Sequence, residues 1–193
     1  MMSLCADYKR RFKTKLYKMP EITTDGDYQV GERIFFILND GECVEALAVD
    51  QENDGTVFCF VNCLKQEYCM NPQNLNSEIL DRFPTEIRKK MVAFDDGDFL
   101  RLPTECEIFG RDDFTMNESE DVHQWIPMQD YRNRITFARK DRDFSGWYWL
   151  QNRDVLSEEL SEKYFYCVNS HGLKCALRPS FESGVRPVFK MKE

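Results

Sequence analysis

The sequence predicts an α+β protein built from antiparallel sheets with short helices. The first third alternates apolar runs with Asp-Gly turns, the middle switches to helical spacing, and the last third holds three aromatic or β-branched runs among turn residues. Those last runs are Trp147-Tyr148-Trp149-Leu150, then Phe165-Tyr166-Cys167-Val168 leading into Asn169-Ser170-His171-Gly172, then Gly184-Val185-Arg186-Pro187-Val188-Phe189. This is a strand-turn-strand vocabulary. Side chains of this bulk are costly to leave in water, so the earlier elements are expected to pack against them.

Taken in order, residues 5–18 place Tyr8, Phe12 and Leu16 at i, i+4, i+8, a narrow apolar stripe that predicts a short helix. Pro20 and Thr23-Thr24-Asp25-Gly26 break the chain. Residues 31–38 read as a strand, Asn39-Asp40-Gly41-Glu42 as a hairpin turn, and 43–49 as the returning strand. A second turn at Glu52-Asn53-Asp54-Gly55 leads to a third strand over 56–63. That strand is apolar on both faces, with Val57, Cys59 and Val61 opposite Phe58 and Phe60, so it should be central and covered on both sides.

Residues 76–83 and 84–92 predict two short helices, the second with Pro84 and Glu86 in its first turn and Arg88, Lys89 and Lys90 near its C-terminus. Asp95-Asp96-Gly97-Asp98 is a turn, residues 99–102 a short strand, and Thr104 a cap for a helical turn ending at Gly110. Residues 111–122 are an acidic, turn-rich loop, and 124–146 are too mixed to assign. The expected organisation is a basic N-terminal arm over 1–27 and a single domain over 28–193.

A chain of 193 residues with 42% hydrophobic side chains can bury a core, which excludes wholesale disorder. No apolar run approaches the roughly 20 residues that span a bilayer, so no membrane partner is expected. The first residues lead into charge rather than an apolar segment, which predicts no secretory signal. Eight cysteines, several in predicted strands, suit buried reduced thiols, and a cytoplasmic location follows as an expectation. Residues 1–18 carry six basic side chains against the one acid Asp7, so the −8 net charge divides into +5 on the arm and −13 on the remainder. Nucleic acid is therefore an unexpected partner except through the arm, whose plainer reading is a helix docked on its own acidic domain.

The chemistry-bearing motifs are sparse. No glycine-rich phosphate cradle is present among the nine glycines. Cys59 and Cys63 would share a strand face about 13 Å apart at roughly 3.3 Å per residue, too far for one zinc ion with ligands at about 2.3 Å, so no metal is expected with Cys69 either. Asp95, Asp96 and Asp98 lack calcium-loop spacing. Cys167 and His171 could pair as nucleophile and base, yet the plainer reading is Cys167 as a small buried hydrophobe and His171 as a turn residue. With 34 acids no glycosidase-type pair stands out. Neither catalysis nor a cofactor is expected. The aromatic groups are the better binding candidates, with core packing as the competing reading for the tryptophans.

Read together, W-Y-W-L-Q-N-R at 147–153, F-Y-C-V-N-S-H-G at 165–172 and G-V-R-P-V-F at 184–189 resemble a bacterial and prophage family of unknown function. Its members end in W-W-L-R-S-P, V-N-x-x-G and G-V-R-P-x-F. The segment from Phe99 to Gly110 is similar to that family's strand-plus-helix segment, and the resemblance spans roughly residues 28–191. The family is in turn similar to the C-type-lectin-like fold of formylglycine-generating enzymes and of diversified phage receptor-binding proteins. In those binders the segment before the G-[VF]-R-P strand faces the ligand, which here implies positions 171–183. Gln151-Asn152-Arg153 stand where R-S-P is expected, and an acidic insert over 158–162 is this chain's own. The copper-binding cysteine pair of the formylglycine enzymes has no counterpart, so that activity is not implied.

The resulting expectation is a non-enzymatic recognition domain of a phage or mobile element. It would bind a protein or other ligand through Trp147, Trp149, Arg153, Tyr166, His171, Lys174, Arg178 and Phe181. The alternative, resting on the −13 body, is an acidic mimic of nucleic acid that inhibits a host defence protein in the manner of an anti-CRISPR.

Overall fold

The computed structural model describes residues 28–71, 75–111, 122–137, 145–153 and 164–192. The helix expected over 5–18, most of the acidic loop over 111–122 and the insert over 158–162 lie outside the described residues. Within them the chain is a mixed α/β structure of antiparallel sheets with a few short helices. The strands are β1 (Arg33–Ile37), β2 (Cys43–Glu52), β3 (Gly55–Phe60), β4 (Met91–Val92), β5 (Thr136–Phe137), β6 (Ser145–Gly146), β7 (Tyr148–Arg153), β8 (Phe165–Val168), β9 (Lys174–Leu177) and β10 (Val188–Met191). Helix α1 (Thr85–Arg88) lies between β3 and β4, and α2 (Glu105–Phe109) between β4 and β5.

The first two hairpins form where the Asp-Gly turns place them. In the first, the Gly41 N–H bonds the Leu38 carbonyl at 2.8 Å, and Phe36 pairs with Val44 across β1 and β2. After the second turn β3 runs back along β2, with a register shift between Ala48 and Asp50. The C-terminal strand then returns to the start of the chain, giving the sheet order β1-β2-β3-β10-β4. The remaining strands form a β7-β8-β9 sheet and a two-stranded β5-β6 ribbon.

Strand β3 is central and covered on both faces. Phe58 and Phe60 point into one cluster with Phe36, Phe83 and Phe189, while Val57 and Cys59 point into another with Trp125, Met128, Tyr148 and Leu150. Phe189 stacks on Phe58 at 5.5 Å between centroids and meets Phe36, Phe60 and Phe83 edge-on at 6.1, 6.0 and 5.5 Å.

The helical middle differs from expectation in two places. The segment expected to be helical over 84–92 is helical only through Arg88, and Met91 and Val92 pair with Met191 and Lys190 as β4. A four-residue helix has little cooperative stability of its own, and β10 offers ladder partners plus burial of Met91. Residues 75–82 form a π turn at Leu75–Ile79 and a 3₁₀ turn at Leu80–Arg82 rather than one helix. Asn39 captures the Asp81 and Phe83 carbonyls there with its side-chain amide. The expected strand over 99–102 is reduced to one antiparallel bridge, Arg101 to Val188. The expected cap on α2 is present as a full capping box, with Thr104 and Glu107 exchanging side-chain and backbone bonds at 3.3 and 2.8 Å.

The G-V-R-P segment docks before it becomes a strand. Gly184 donates to the Trp147 carbonyl at 2.9 Å, and its own carbonyl accepts from Trp149 at 3.1 Å. A Cβ on Gly184 would sit 2.6 Å from both the Cys63 sulfur and the Trp147 carbonyl oxygen, so glycine is required by the close approach. Because Phe189 is in contact with four other rings, Phe189→Ala should lower unfolding free energy in urea by about 3–5 kcal/mol. A loss below about 1 kcal/mol would mean the ring cluster is not the centre of the core.

Candidate functional site

The β8–β9 hairpin carries three of the eight candidate residues, Tyr166, His171 and Lys174, and its turn is built by Asn169. The Asn169 side-chain oxygen accepts the N–H groups of His171 at 2.8 Å and Leu173 at 3.1 Å, while its backbone N–H bonds the Leu173 carbonyl at 2.9 Å. Asn and Gly in V-N-S-H-G suit such a turn, because Asn bonds backbone two residues on and Gly172 adopts a φ of 73°. The turn rests on the 3₁₀ segment Tyr131–Arg134, where a Cβ on Gly172 would lie 3.3 Å from the Tyr131 carbonyl oxygen. That segment leads into β5, which pairs with β6, and β6 leads into Trp147.

The eight candidate residues separate into three places. Trp149 is 1% exposed, donates its indole N–H to the Tyr68 carbonyl at 2.8 Å and belongs to the core. Tyr166 is buried on the opposite face of the same sheet. Neither presents a ligand surface. Trp147, 42% exposed, and His171 lie at the Asn169 turn. Arg178 and Phe181 are exposed beyond the other end of the hairpin, where Arg178 donates to the Tyr164 hydroxyl at 3.1 Å. The β8 strand that separates the two ends is about 10 Å long at roughly 3.3 Å per residue. Arg153 closes β7 opposite Phe165, on the Arg178 side, and its side chain lies outside the described residues.

Lys174 is turned inward. Its ammonium pairs with the buried Glu105 carboxylate and sits 5.4 Å from the Tyr166 ring centroid. Glu105 is in turn anchored by the Asn152 side-chain oxygen, which accepts its backbone N–H at 2.7 Å. This is a tie between α2 and the second sheet, and the pairing was invisible in the sequence because the partners are 69 residues apart. The sequence also missed other exposed apolar side chains. Leu173, Tyr131 and Phe137 are exposed at this end, two of them in the unassigned stretch over 124–146.

Among the described residues the thiols do not converge on one common site or on a base. Cys59 faces the Phe60 carbonyl at 3.6 Å, Cys63 the Thr136 hydroxyl at 3.2 Å, and Cys69 the Ser180 carbonyl at 3.4 Å. No group of three potential metal ligands occurs among the described residues. His171 has the Ser170 hydroxyl beside its Nδ1 at 3.4 Å, and Cys167 has Cys175 beside it instead. Among the described residues no helix is long and apolar enough to cross a membrane. No protein-family model, no curated protein and no solved structure matches the chain.

Two tests separate structural from surface roles. Trp149→Ala should cost about 3–5 kcal/mol of stability, whereas Trp147→Ala should stay within about 0.5 kcal/mol, both by urea denaturation. Equal losses would contradict the placement of the two tryptophans. Burial pushes the Cys63 thiol up from its ordinary 9.0 to about 11. The unfolded chain therefore ionises first, so its contribution is intact below pH 9.0 and is lost as pH rises toward about 11. The loss amounts to about 3 kcal/mol at most, and Cys63→Ala should flatten that part of the stability–pH curve.

Proposed function

We propose that this chain is a non-enzymatic, cofactor-free recognition domain with a C-type-lectin-like fold, carried by a phage or mobile element and acting on a protein partner in the cytoplasm. The observation that carries the reading is the apolar rim at the Asn169 turn. By the register of β7, β8 and β9, Trp147, Asn169 and Leu173 fall in one row across the sheet, and Trp147 and Leu173 are 42% and 60% exposed. Tyr131 and Phe137 flank the row on the segment against which the turn packs. Exposed apolar groups clustered in this way mark association surfaces, and aromatic anchors carry most of their energy.

The division between exposed and buried positions in the C-terminal segment also supports the reading. Residues 171, 173, 178 and 180–182 are exposed, while 183–191 are buried without a break. This follows in part the division implied by the resemblance, in which 171–183 faces the ligand, since Gly172 and Ser183 are buried and 174–177 and 179 half-buried. The active surface is narrower than the sequence suggested, because Trp149 and Tyr166 belong to the interior.

The test is affinity capture from bacterial lysate with washes at low and high salt, using the wild-type chain and Trp147→Ala. A partner that survives high salt and is bound at least about tenfold more weakly by Trp147→Ala supports the proposal, since apolar contacts are little screened. A partner released by salt and indifferent to Trp147 would overturn it in favour of acidic mimicry.

A further inference from the structure

Independently of what the rim binds, we propose that Cys167 and Cys175 form a reversible dithiol–disulfide couple that reacts with low-molecular-weight disulfides. The two residues are direct cross-strand partners in β8 and β9. Asn169 and Leu173, two positions further along the same register, are joined by a backbone hydrogen bond of 2.9 Å. Parity makes Cys167 and Cys175 a hydrogen-bonded pair as well, with an expected Cα separation of about 5.5 Å, inside the roughly 4.4–6.8 Å range that a disulfide spans. Both side chains lie on the face that carries Trp149, and the Cys175 sulfur lies 3.3 Å from the Cys167 carbonyl oxygen.

The roles of the two sulfurs differ. Cys175 lies on the edge strand of its sheet and is partly exposed, whereas Cys167 is buried on the central strand. A hydrogen bond from the Cys167 thiol holds the Cys175 thiol below its ordinary value, and the same contact together with burial pushes Cys167 up. Its exposure on the edge strand makes Cys175 the sulfur that a small disulfide reaches first and Cys167 the resolving thiol.

In the first step the Cys175 thiolate attacks one sulfur of a disulfide such as oxidised glutathione, forming a mixed disulfide and expelling one glutathione thiolate. In the second, the Cys167 sulfur attacks the Cys175 sulfur, loses its proton to the medium and expels the second glutathione. Two protein thiols are oxidised and one glutathione disulfide is reduced to two thiols. The crosslink would tie β9 to β8 directly beneath the turn that carries His171.

The full chain with Cys69→Ser, which removes an exposed thiol, is equilibrated in its folded state with glutathione buffers, quenched in acid, alkylated and digested with trypsin. Cleavage after Lys174 separates the two cysteines, so a linked peptide pair reports the bond directly. The expected result is a Cys167–Cys175 link in most molecules under excess oxidised glutathione, reversed by excess reduced glutathione and absent from Cys175→Ser. The proposal fails if both thiols stay free, if Cys175 stops as a glutathione adduct, or if the link forms only in urea-unfolded chain.

Discussion

A guanidinium withdrawn from water must be met by acceptors in fixed places, and Arg186 sets that constraint at the centre of this protein. Its Nε donates to the Phe60 carbonyl and one terminal nitrogen to the Tyr148 hydroxyl at 3.2 Å, while the group lies 5.3 Å from the Tyr148 ring centroid. Phe60 closes β3 and Tyr148 opens β7, so one side chain from the segment entering β10 joins the two larger sheets. A buried charge is tolerable only when it is hydrogen-bonded, which makes these two partners a condition for the packing around them. Burial also pushes the Tyr148 phenol and the Cys59 and Cys63 thiols up, with the nearby arginine opposing the effect. These groups stay neutral at ordinary pH, so Arg186 is held by dipoles and a ring face rather than by an anion.

How much of this was legible depended on whether the signal was local. The Asp-Gly hairpins, the two-faced strand β3 and the Thr104 cap each follow from a few adjacent residues, and each stands in the structure. Strand β4 is two residues long and exists because β10 supplies its partner, a relation that no window of sequence contains. Strand β9 has no alternation to read, since Lys174, Cys175, Ala176 and Leu177 are all half-buried. The β5–β6 ribbon is likewise short, and it is tied to distant residues, Phe137 to Asn62 and Thr136 to Cys63.

Which of the candidate side chains are exposed was legible only in part, for a physical reason. Alternation correctly places Trp147 and Trp149 on one face, but period two says nothing about where that face stops being covered. Trp149 falls over Tyr68 and the aromatic cluster, whereas Trp147, one step before β7, falls beyond it. The same residue type, two positions apart, is therefore core in one case and rim in the other.

Charged residues add the complementary lesson. Lys174 sat in a stretch expected to face a ligand, yet Glu105, buried on α2, is its partner. Arg101 is drawn the same way to Glu107, whereas at Lys190 the ammonium is the buried partner and the Glu52 and Asp54 carboxylates are exposed. A carboxylate taken out of water demands a cation wherever the fold brings one near, so side chains that look like ligand contacts are claimed internally first. At the Asn169 turn this leaves an exposed surface of apolar side chains with His171 at its edge. Because Trp147 shares its sheet face with Trp149, a partner seated on that rim would extend the existing core outward. Recognition would then draw on the burial of apolar surface that already holds the two sheets together.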